Sequence, residues 1–119
     1  MTRLTIRIDF GPDAAFGPGK ARLLELVDEK GSIRRAAASM GMSYRRAWLL
    51  LQDIENLIGM PAVQTRTGGS HGGGTVLSAR GRAMLERYRT IERRAARSVS
   101  ADLTYLARLT GNARPRRKG

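Results

Sequence analysis

The sequence predicts a mostly α-helical domain that carries one small β-hairpin and ends in a long helix. Three observations lead to this fold class. Apolar residues recur at steps of three and four in four segments, which is the period of helices buried on one face. Serines precede three of these segments and glycines follow three, as capping residues do. Two short apolar stretches flank a run of glycines late in the chain, which is typical of a hairpin.

The first element is predicted to be a strand followed by a loop. From Leu4 to Phe10, apolar residues alternate with polar ones, which is the period of a half-buried strand. The segment "GPDAAFGPG" that follows is rich in glycine and proline and is predicted to be a loop. A helix is then expected from Lys20 to Lys30, ended by Gly31. Its apolar face consists of Leu23, Leu24, Leu26 and Val27.

Two helices that meet at a sharp turn come next. Ser32 is expected to cap a helix over Ile33–Met40, and Ser43 a helix that runs to about Ile58. Gly41 lies between them, where a glycine can take the left-handed conformation of the turn. The side chains expected to pack where the two helices touch are Ala37, Met40, Met42, Ala47, Leu50, Leu51 and Ile54.

The C-terminal part is predicted to be a hairpin and a long helix. Strands are expected over Ala62–Thr67 and Thr75–Leu77, on either side of the glycines. Ser78 can cap the last helix, which the segment "SVSAD" at Ser98–Asp102 is expected to bend or break. The apolar stripe of this helix consists of Met84, Tyr88, Ile91, Ala95, Val99, Leu103 and Leu106. The complete order of elements is that of a winged helix-turn-helix domain with a long C-terminal helix.

The charge of the chain indicates a polyanionic partner. There are 22 basic residues against 10 acidic ones among 119, a net charge of +12, and 19 of the basic residues are arginines. The planar, forked guanidinium suits phosphates and guanine edges. A GC-rich genome would also favour arginine over lysine, but it would not produce the net charge. We expect a domain over residues 1–107 and a basic, disordered tail over 108–119.

The first turn of the second helix in the pair is the predicted reading element. In helix-turn-helix proteins this turn enters the major groove of DNA and touches base edges. Here it consists of Ser43, Tyr44, Arg45 and Arg46. An arginine can hold the O6 and N7 atoms of guanine with two hydrogen bonds, and a tyrosine can contact a phosphate or a thymine methyl group.

Further arginines begin the first helix of the pair. This helix crosses the DNA backbone, so Arg34 and Arg35 are expected to contact phosphates. Trp48 is expected to be partly buried and to support the second helix rather than to read a base. The alternative interpretation is an ordinary helical hairpin whose arginines form a solvated face.

The glycine stretch is predicted to be the wing. It would lie along the DNA backbone, with contacts from Arg66, Gly69, His71 and Gly73. Two alternatives stay open for this loop. A nucleotide-binding loop needs a lysine after the glycines and a helix after that, and neither follows here. A merely flexible linker is the second alternative.

Two segments, "GSIRRAAASMGMSYRRAW" and "RTGGSHGGGTVLSARG", closely resemble the DNA-binding domain of the ModE family of molybdate-responsive regulators. The wider segment "LLLQDIENLIGMPAVQTRT…VLSARG" is similar to LysR-type regulators. The resemblance covers about Lys20 to Arg89 and, more loosely, Leu4 to Leu106. The resemblance implies a dimeric bacterial transcription regulator whose first and last helices form the dimer contact. On this sequence the implied dimer residues are Leu23, Leu24, Val27, Met84, Tyr88, Ile91, Ala95 and Val99.

The resemblance also implies what the chain does not carry. The molybdate-binding domains of the ModE family follow the DNA-binding domain, whereas this chain ends soon after Leu106. The sequence therefore predicts a stand-alone form without a molybdate site. How such a form would sense an effector stays open.

The predicted function is a cytoplasmic transcription regulator that binds a pseudo-palindromic site on double-stranded DNA as a homodimer. With no cysteine and one histidine, no metal or other cofactor is expected, and no run of about 18 apolar residues predicts a membrane span. Two alternatives remain. One is an architectural protein that coats DNA with weak sequence preference. The other, an enzyme acting on phosphorylated substrates, would have only His71 as its base, so no catalytic residue is predicted.

Overall fold

A computed structural model describes residues 2–67 and 73–111 of the chain. These residues form five helices and two separate antiparallel strand pairs. In chain order the elements are β1 (Ile8–Gly11), β2 (Ala14–Phe16), α1 (Pro18–Lys30), α2 (Ile33–Ser39), α3 (Tyr44–Ile58), β3 (Val63–Arg66), β4 (Gly74–Leu77), α4 (Ala79–Ser98) and α5 (Ser100–Thr110). The mostly α-helical winged helix-turn-helix fold predicted from the sequence is confirmed.

The N-terminal hairpin differs from the prediction. The strand begins at Ile8 rather than Leu4, and the segment predicted to be a loop contains β2. Ile8 lies opposite Phe16 in the pairing of β1 with β2. A strand extends only as far as a neighbour can pair with it, and the three residues of β2 limit β1 to its second half. Asp13, with φ of 58°, makes the tight turn between the two strands.

Serine caps set the start of three helices, as the sequence predicts. The hydroxyl oxygens of Ser32, Ser43 and Ser78 each accept a hydrogen bond, 3.0 Å long, from the backbone N–H three residues further on. Each bond satisfies one of the N–H groups that a helix start leaves without a partner. Gly31 and Gly59 end α1 and α3 with positive φ angles of 68° and 76°, which glycine adopts without strain.

The core lies between α1, the helix-turn-helix pair and the first half of α4. The predicted apolar face of α1 is buried as a whole. The rings of Phe16 and Tyr88 pack edge to face with centroids 5.1 Å apart, and the Tyr88 hydroxyl donates a 2.6 Å hydrogen bond to the Ile6 carbonyl. This contact attaches the N-terminal segment to α4. The helix contacts around the turn involve Ala36, Ala37, Ala47, Leu51 and Ile54, all buried.

The two strands β3 and β4 form the wing. The wing is attached to the turn that precedes the helix-turn-helix pair. The two strands pair in register from Val63 opposite Leu77 to Arg66 opposite Gly74. The Thr75 N–H donates a 3.0 Å hydrogen bond to the carbonyl of Gly31, in the turn between α1 and α2. This bond fixes the position of the wing relative to the first helix of the pair.

Two ion pairs join α4 to α1. Arg82 contacts both carboxylate oxygens of Asp28, at 3.1 and 2.8 Å. Arg89 contacts both carboxylate oxygens of Glu25 at 2.9 Å and also Glu92 at 2.7 Å. Both contacts with α1 are bidentate, the geometry in which a guanidinium fixes direction as well as charge. They hold the first half of α4 against the domain.

The long C-terminal helix is broken where the sequence predicts. α4 ends at Ser98 and α5 begins at Ser100, with Val99 between them. α5 continues to Thr110, so its last turn lies inside the segment that the sequence analysis assigned to the tail. None of its side chains is buried within the subunit. Residues 112–119, the rest of the predicted tail, lie outside the described part of the chain.

Candidate nucleic-acid interface

The outer face of α3 brings the predicted reading residues together. Ser43 caps the helix through the Arg46 N–H, so the first turn is held as a helix before any ligand binds. Tyr44, Arg45 and Arg46 are all exposed in this turn. The buried residues of α3 lie on the opposite side and anchor it to the core. The first turn of α3 is therefore fixed in position with its polar side chains directed outwards.

Trp48 lies on this outer face and is partly buried, as expected, but it is not part of the core. Its side chain is 45% exposed, and the neighbouring Leu49 is 40% exposed. Leu49 follows Arg45 by one helical turn, so the two share a face. The sequence analysis did not single out Leu49, which stands beside the buried run of α3. The spacing of four residues from Arg45 was the signal that could have identified it.

The starts of α2 and α3 are in direct contact. The guanidinium of Arg34 lies 4.7 Å from the centre of the Tyr44 ring. Such a cation–π contact contributes about 0.5–1 kcal/mol at an exposed site. Arg34 and Arg35 are both exposed at the beginning of α2. The arginines predicted to contact phosphates therefore lie next to the turn predicted to read bases.

The charges of these arginines are not neutralised by the protein. The described residues form six ion pairs, and none of them involves Arg34, Arg35, Arg45, Arg46 or Arg66. The carboxylates of α1 are instead paired with α4. The hydrogen-bonded Arg89 guanidinium holds the pKa of Glu25 below its ordinary value, and burial opposes this only partly. Two carboxylates of α1 are thus paired with arginines of α4, whereas the arginines at the starts of α2 and α3 make no ion pair among the described residues.

Of the four predicted wing contacts, two lie in the described structure and two lie outside it. Arg66 ends β3 and is exposed. Gly73 lies so close to the Arg66 carbonyl that an added Cβ would be 2.9 Å from its oxygen, so only glycine fits there. The predicted contacts Gly69 and His71 belong to residues 68–72, which lie outside the described residues.

The predicted dimer residues fall into two groups. Leu23, Leu24 and Val27 are fully buried in the core of the subunit, and Tyr88 is 1% exposed, so these four present no surface to a partner. A helical stripe shows which residues are apolar but not whether they face the core or a second subunit. Of the remaining four, Ile91 is exposed, and Met84, Ala95 and Val99 are half-buried. The stripe continues on α5 with the exposed side chains of Tyr105, Leu106 and Leu109.

A metal site or a membrane-spanning helix would point to a different function. Within 2–67 and 73–111, no group of three or more histidine, cysteine, aspartate or glutamate side chains could hold a metal ion. None of the helices described is long and apolar enough to cross a membrane.

Comparison with known proteins agrees with this geometry. A model of the bacterial regulatory helix-turn-helix proteins of the lysR family matches residues 19–82, more than half of the chain. Over 92 residues the chain is 37% identical to the molybdenum transport protein ModE of Azotobacter vinelandii, covering 77% of this chain and 33% of that protein. It is 32% identical over 92 residues to the transcriptional regulator ModE of Haemophilus influenzae, covering 77% and 36% respectively.

These relatives are much longer than the chain, which spans about a third of the length of each. Among solved structures, the DNA-binding domain of CbnR in complex with DNA superposes with a TM-score of 0.54. The two are 27% identical, and the match covers 71% of this chain and 91% of that one. The similarity to ModE that the two sequence motifs indicated is confirmed. The chain belongs to the LysR family of bacterial regulatory helix-turn-helix proteins.

Proposed function

We propose that this protein is a transcription regulator that binds double-stranded DNA in a sequence-specific manner, as a homodimer, and has no catalytic activity. The observation that carries the proposal is the exposed first turn of α3, whose arginines have no ion-pair partner among the described residues. A relative named as a transcriptional regulator and a structural neighbour bound to DNA support it. Such a protein acts where bacterial DNA lies, in the cytoplasm.

The proposed mechanism assigns α3 to the major groove. Arg45 is the residue we assign to base reading, because it lies on the outer face in the first turn. A bidentate contact with guanine discriminates against a wrong base by about 1–3 kcal/mol. Arg34, Arg35 and Arg66 are assigned to the backbone, where contacts fix the register of the protein but do not read sequence. Dimerisation would place two copies of α3 on one face of the duplex.

The second subunit is assigned to the apolar surface of α4 and α5. Tyr105, Leu106 and Leu109 are between 52% and 65% exposed, and α5 buries none of its side chains in its own subunit. A helix of 11 residues is marginal in water without packing partners. Contact with the same helix of a partner subunit would supply that packing and would create the two-fold axis that a pseudo-palindromic site requires.

The experiment that tests the proposal is selection from a random pool of DNA duplexes at physiological salt, followed by sequencing. An inverted repeat is the expected result. The variant Arg45→Ala should lose discrimination at one base position of each half-site, by about 10-fold to 100-fold, while it keeps its affinity for unrelated DNA. Arg97→Ala is the control, because Arg97 is exposed on α4, away from α3, and its loss removes the same charge.

A second candidate is supported by a different observation. Positive charge is also dispersed along α4. Among its arginines, Arg87, Arg94 and Arg97 are exposed and make no ion pair within the described residues. They are part of the net charge of +12. An architectural protein that coats DNA would use such dispersed charge. The same selection separates the two functions. A pool that stays random, with Arg45→Ala and Arg97→Ala weakening all sequences equally, would establish the architectural protein instead.

A further inference from the structure

A cleft lies between the N-terminal hairpin and the first turn of α3. It encloses about 360 Å³ and has an apolar floor formed by Met40, Met42 and Leu50. It is also lined by Arg7 and by Ala15 of β2, by the start of α1, and by Arg46. The hairpin precedes residue 19, where the match to the lysR family model begins.

Three basic side chains line the cleft. They come from three separate elements of the chain: Arg7 precedes β1, Lys20 lies in α1 and Arg46 lies in α3. Lys20 is held in place because its ammonium group donates a 2.7 Å hydrogen bond to the Ala15 carbonyl in β2. Such convergence of basic groups from separate elements is typical of a site for an anionic group.

The opposing charges near the cleft are few and exposed. Arg7 pairs with Asp9 at 3.0 Å, and both side chains are more than 60% exposed. The carboxylate of Asp53 lies 3.9 Å from the ammonium nitrogen of Lys20, at the edge of ion-pair range. An exposed pair such as that of Arg7 with Asp9 is worth about 0–1 kcal/mol. In the longer Lys20–Asp53 pair the carboxylate is 57% exposed, whereas the lysine side chain is 18% exposed. Arg46 has no ion pair among the residues described.

The position of the cleft identifies the anion that would reach it. Arg46 belongs to the same first turn of α3 as Tyr44 and Arg45, and the cleft opens beside that turn. The wing follows the other end of α3 and is attached through Thr75. If α3 occupies the major groove, a phosphate backbone that borders the groove passes along the side of α3 where the hairpin lies.

We infer that the hairpin cleft binds a backbone phosphate of the DNA, held by Arg46 together with Arg7 and Lys20. This inference rests on the proposed function. It adds a backbone contact outside the helix-turn-helix and the wing, in which Arg7 beside the N-terminal hairpin takes part. Because phosphate contacts carry no sequence information, the contact strengthens binding to every sequence alike.

Gly19 offers the sharpest test. It lines the cleft in the first turn of α1, and an added Cβ would meet no atom within 4 Å. Gly19→Glu places a carboxylate in the cleft without crowding it, at the end of a helix where acidic residues are tolerated well. We expect this variant to bind specific and random duplexes at least tenfold more weakly than Gly19→Gln, as measured by fluorescence anisotropy. Equal affinities of the two variants would overturn the inference.

Arg7→Gln provides a second and independent measurement. Its affinity for any duplex should fall by about threefold to tenfold at low salt, and the slope of log K against log salt should fall by about one. Arg108→Gln removes the same charge from α5, which does not line the cleft, and should leave the slope within error. If both variants bind DNA as the wild type does while Arg45→Ala still loses discrimination, the cleft is refuted and the proposed function stands. If the wild type binds no DNA, both are refuted.

Discussion

Gly81 determines how closely α4 can approach the segment before β3. The carbonyl of Ala62 accepts hydrogen bonds from the Ser78 N–H at 2.8 Å and from the Ser78 hydroxyl at 3.1 Å. A Cβ added at Gly81 would lie 2.3 Å from that same oxygen, which is part of the backbone and cannot rotate away. The capping serine and the glycine three residues later are therefore parts of one contact between α4 and the wing.

We predict that Gly81→Ala destabilises the protein by about 2 kcal/mol or more. Two effects oppose each other. Alanine favours a helix by about 1 kcal/mol over glycine, whereas crowding of a packed site costs about 1–3 kcal/mol and here also separates the two hydrogen bonds to Ala62. The second effect is the larger. Urea unfolding followed by circular dichroism measures the change in the free energy of unfolding.

Gly19→Ala is the matched control for this prediction. It makes the same substitution in a helix, but at a position where the added methyl group meets no neighbour. We expect it to be neutral or to stabilise the protein by up to about 1 kcal/mol. A Gly81→Ala variant as stable as Gly19→Ala would show that α4 can move away from Ala62 at no cost.

The sequence predicted elements well where their ends are set by neighbours in the chain. The caps Ser32, Ser43 and Ser78 act within three residues, and all three are as predicted. The strand predicted from Leu4 is longer than β1, because the length of a strand depends on the strand that pairs with it. The alternation of apolar and polar residues does not reveal that β2 has only three residues. The bidentate contact of Arg89 with Glu25 spans 64 residues, so no local pattern could indicate it.

In the candidate site, the sequence identified the arginines of α2 and α3 because they stand at the starts of these helices. The exposure of Trp48 and Leu49 depends on how α3 packs, which the sequence does not show.

The contact between α1 and α4 predicts a dependence of stability on pH. The Arg89 guanidinium lowers the pKa of Glu25 in the folded state from its ordinary value of 4.5. A carboxyl with a lowered pKa stabilises the fold at pH values above its unfolded pKa, and this contribution is lost as the pH falls through the folded pKa. We therefore expect the free energy of unfolding to decrease as the pH is lowered below about 4.5.

Glu25→Gln should make this decrease shallower, since it removes the group that titrates. At neutral pH the variant should lose about 1 kcal/mol, because the pair is partly exposed. Glu29→Gln is the control, with the same change of charge on the same helix at an exposed side chain that makes no ion pair in the described chain. Thermal unfolding at a series of pH values measures both. Parallel curves for the two variants would contradict the assigned role of Glu25.

At the scale of the whole molecule, the described residues carry arginines without an ion pair both at the helix-turn-helix and on α4, and they carry exposed apolar side chains on α5. We predict that Leu106→Glu and Leu109→Glu convert a dimer into a monomer, because each buries a charge in the proposed contact. Light scattering during size-exclusion chromatography measures the mass. Thr104→Glu, on the opposite side of α5, should remain dimeric, and a monomeric wild type would refute the assignment of α5.

The dimer and the DNA site make one further prediction when they are combined. A dimer of fixed geometry holds two copies of α3 at one separation, so a selected inverted repeat should tolerate little change in the spacing of its halves. Inserting about five base pairs turns one half-site to the far side of the duplex, and wild-type affinity should fall at least tenfold. The monomeric Leu106→Glu variant has no second reading helix, so its weaker affinity should not depend on spacing. A dimeric wild type that ignores the insertion would show that α4 and α5 do not fix the separation of the two reading helices.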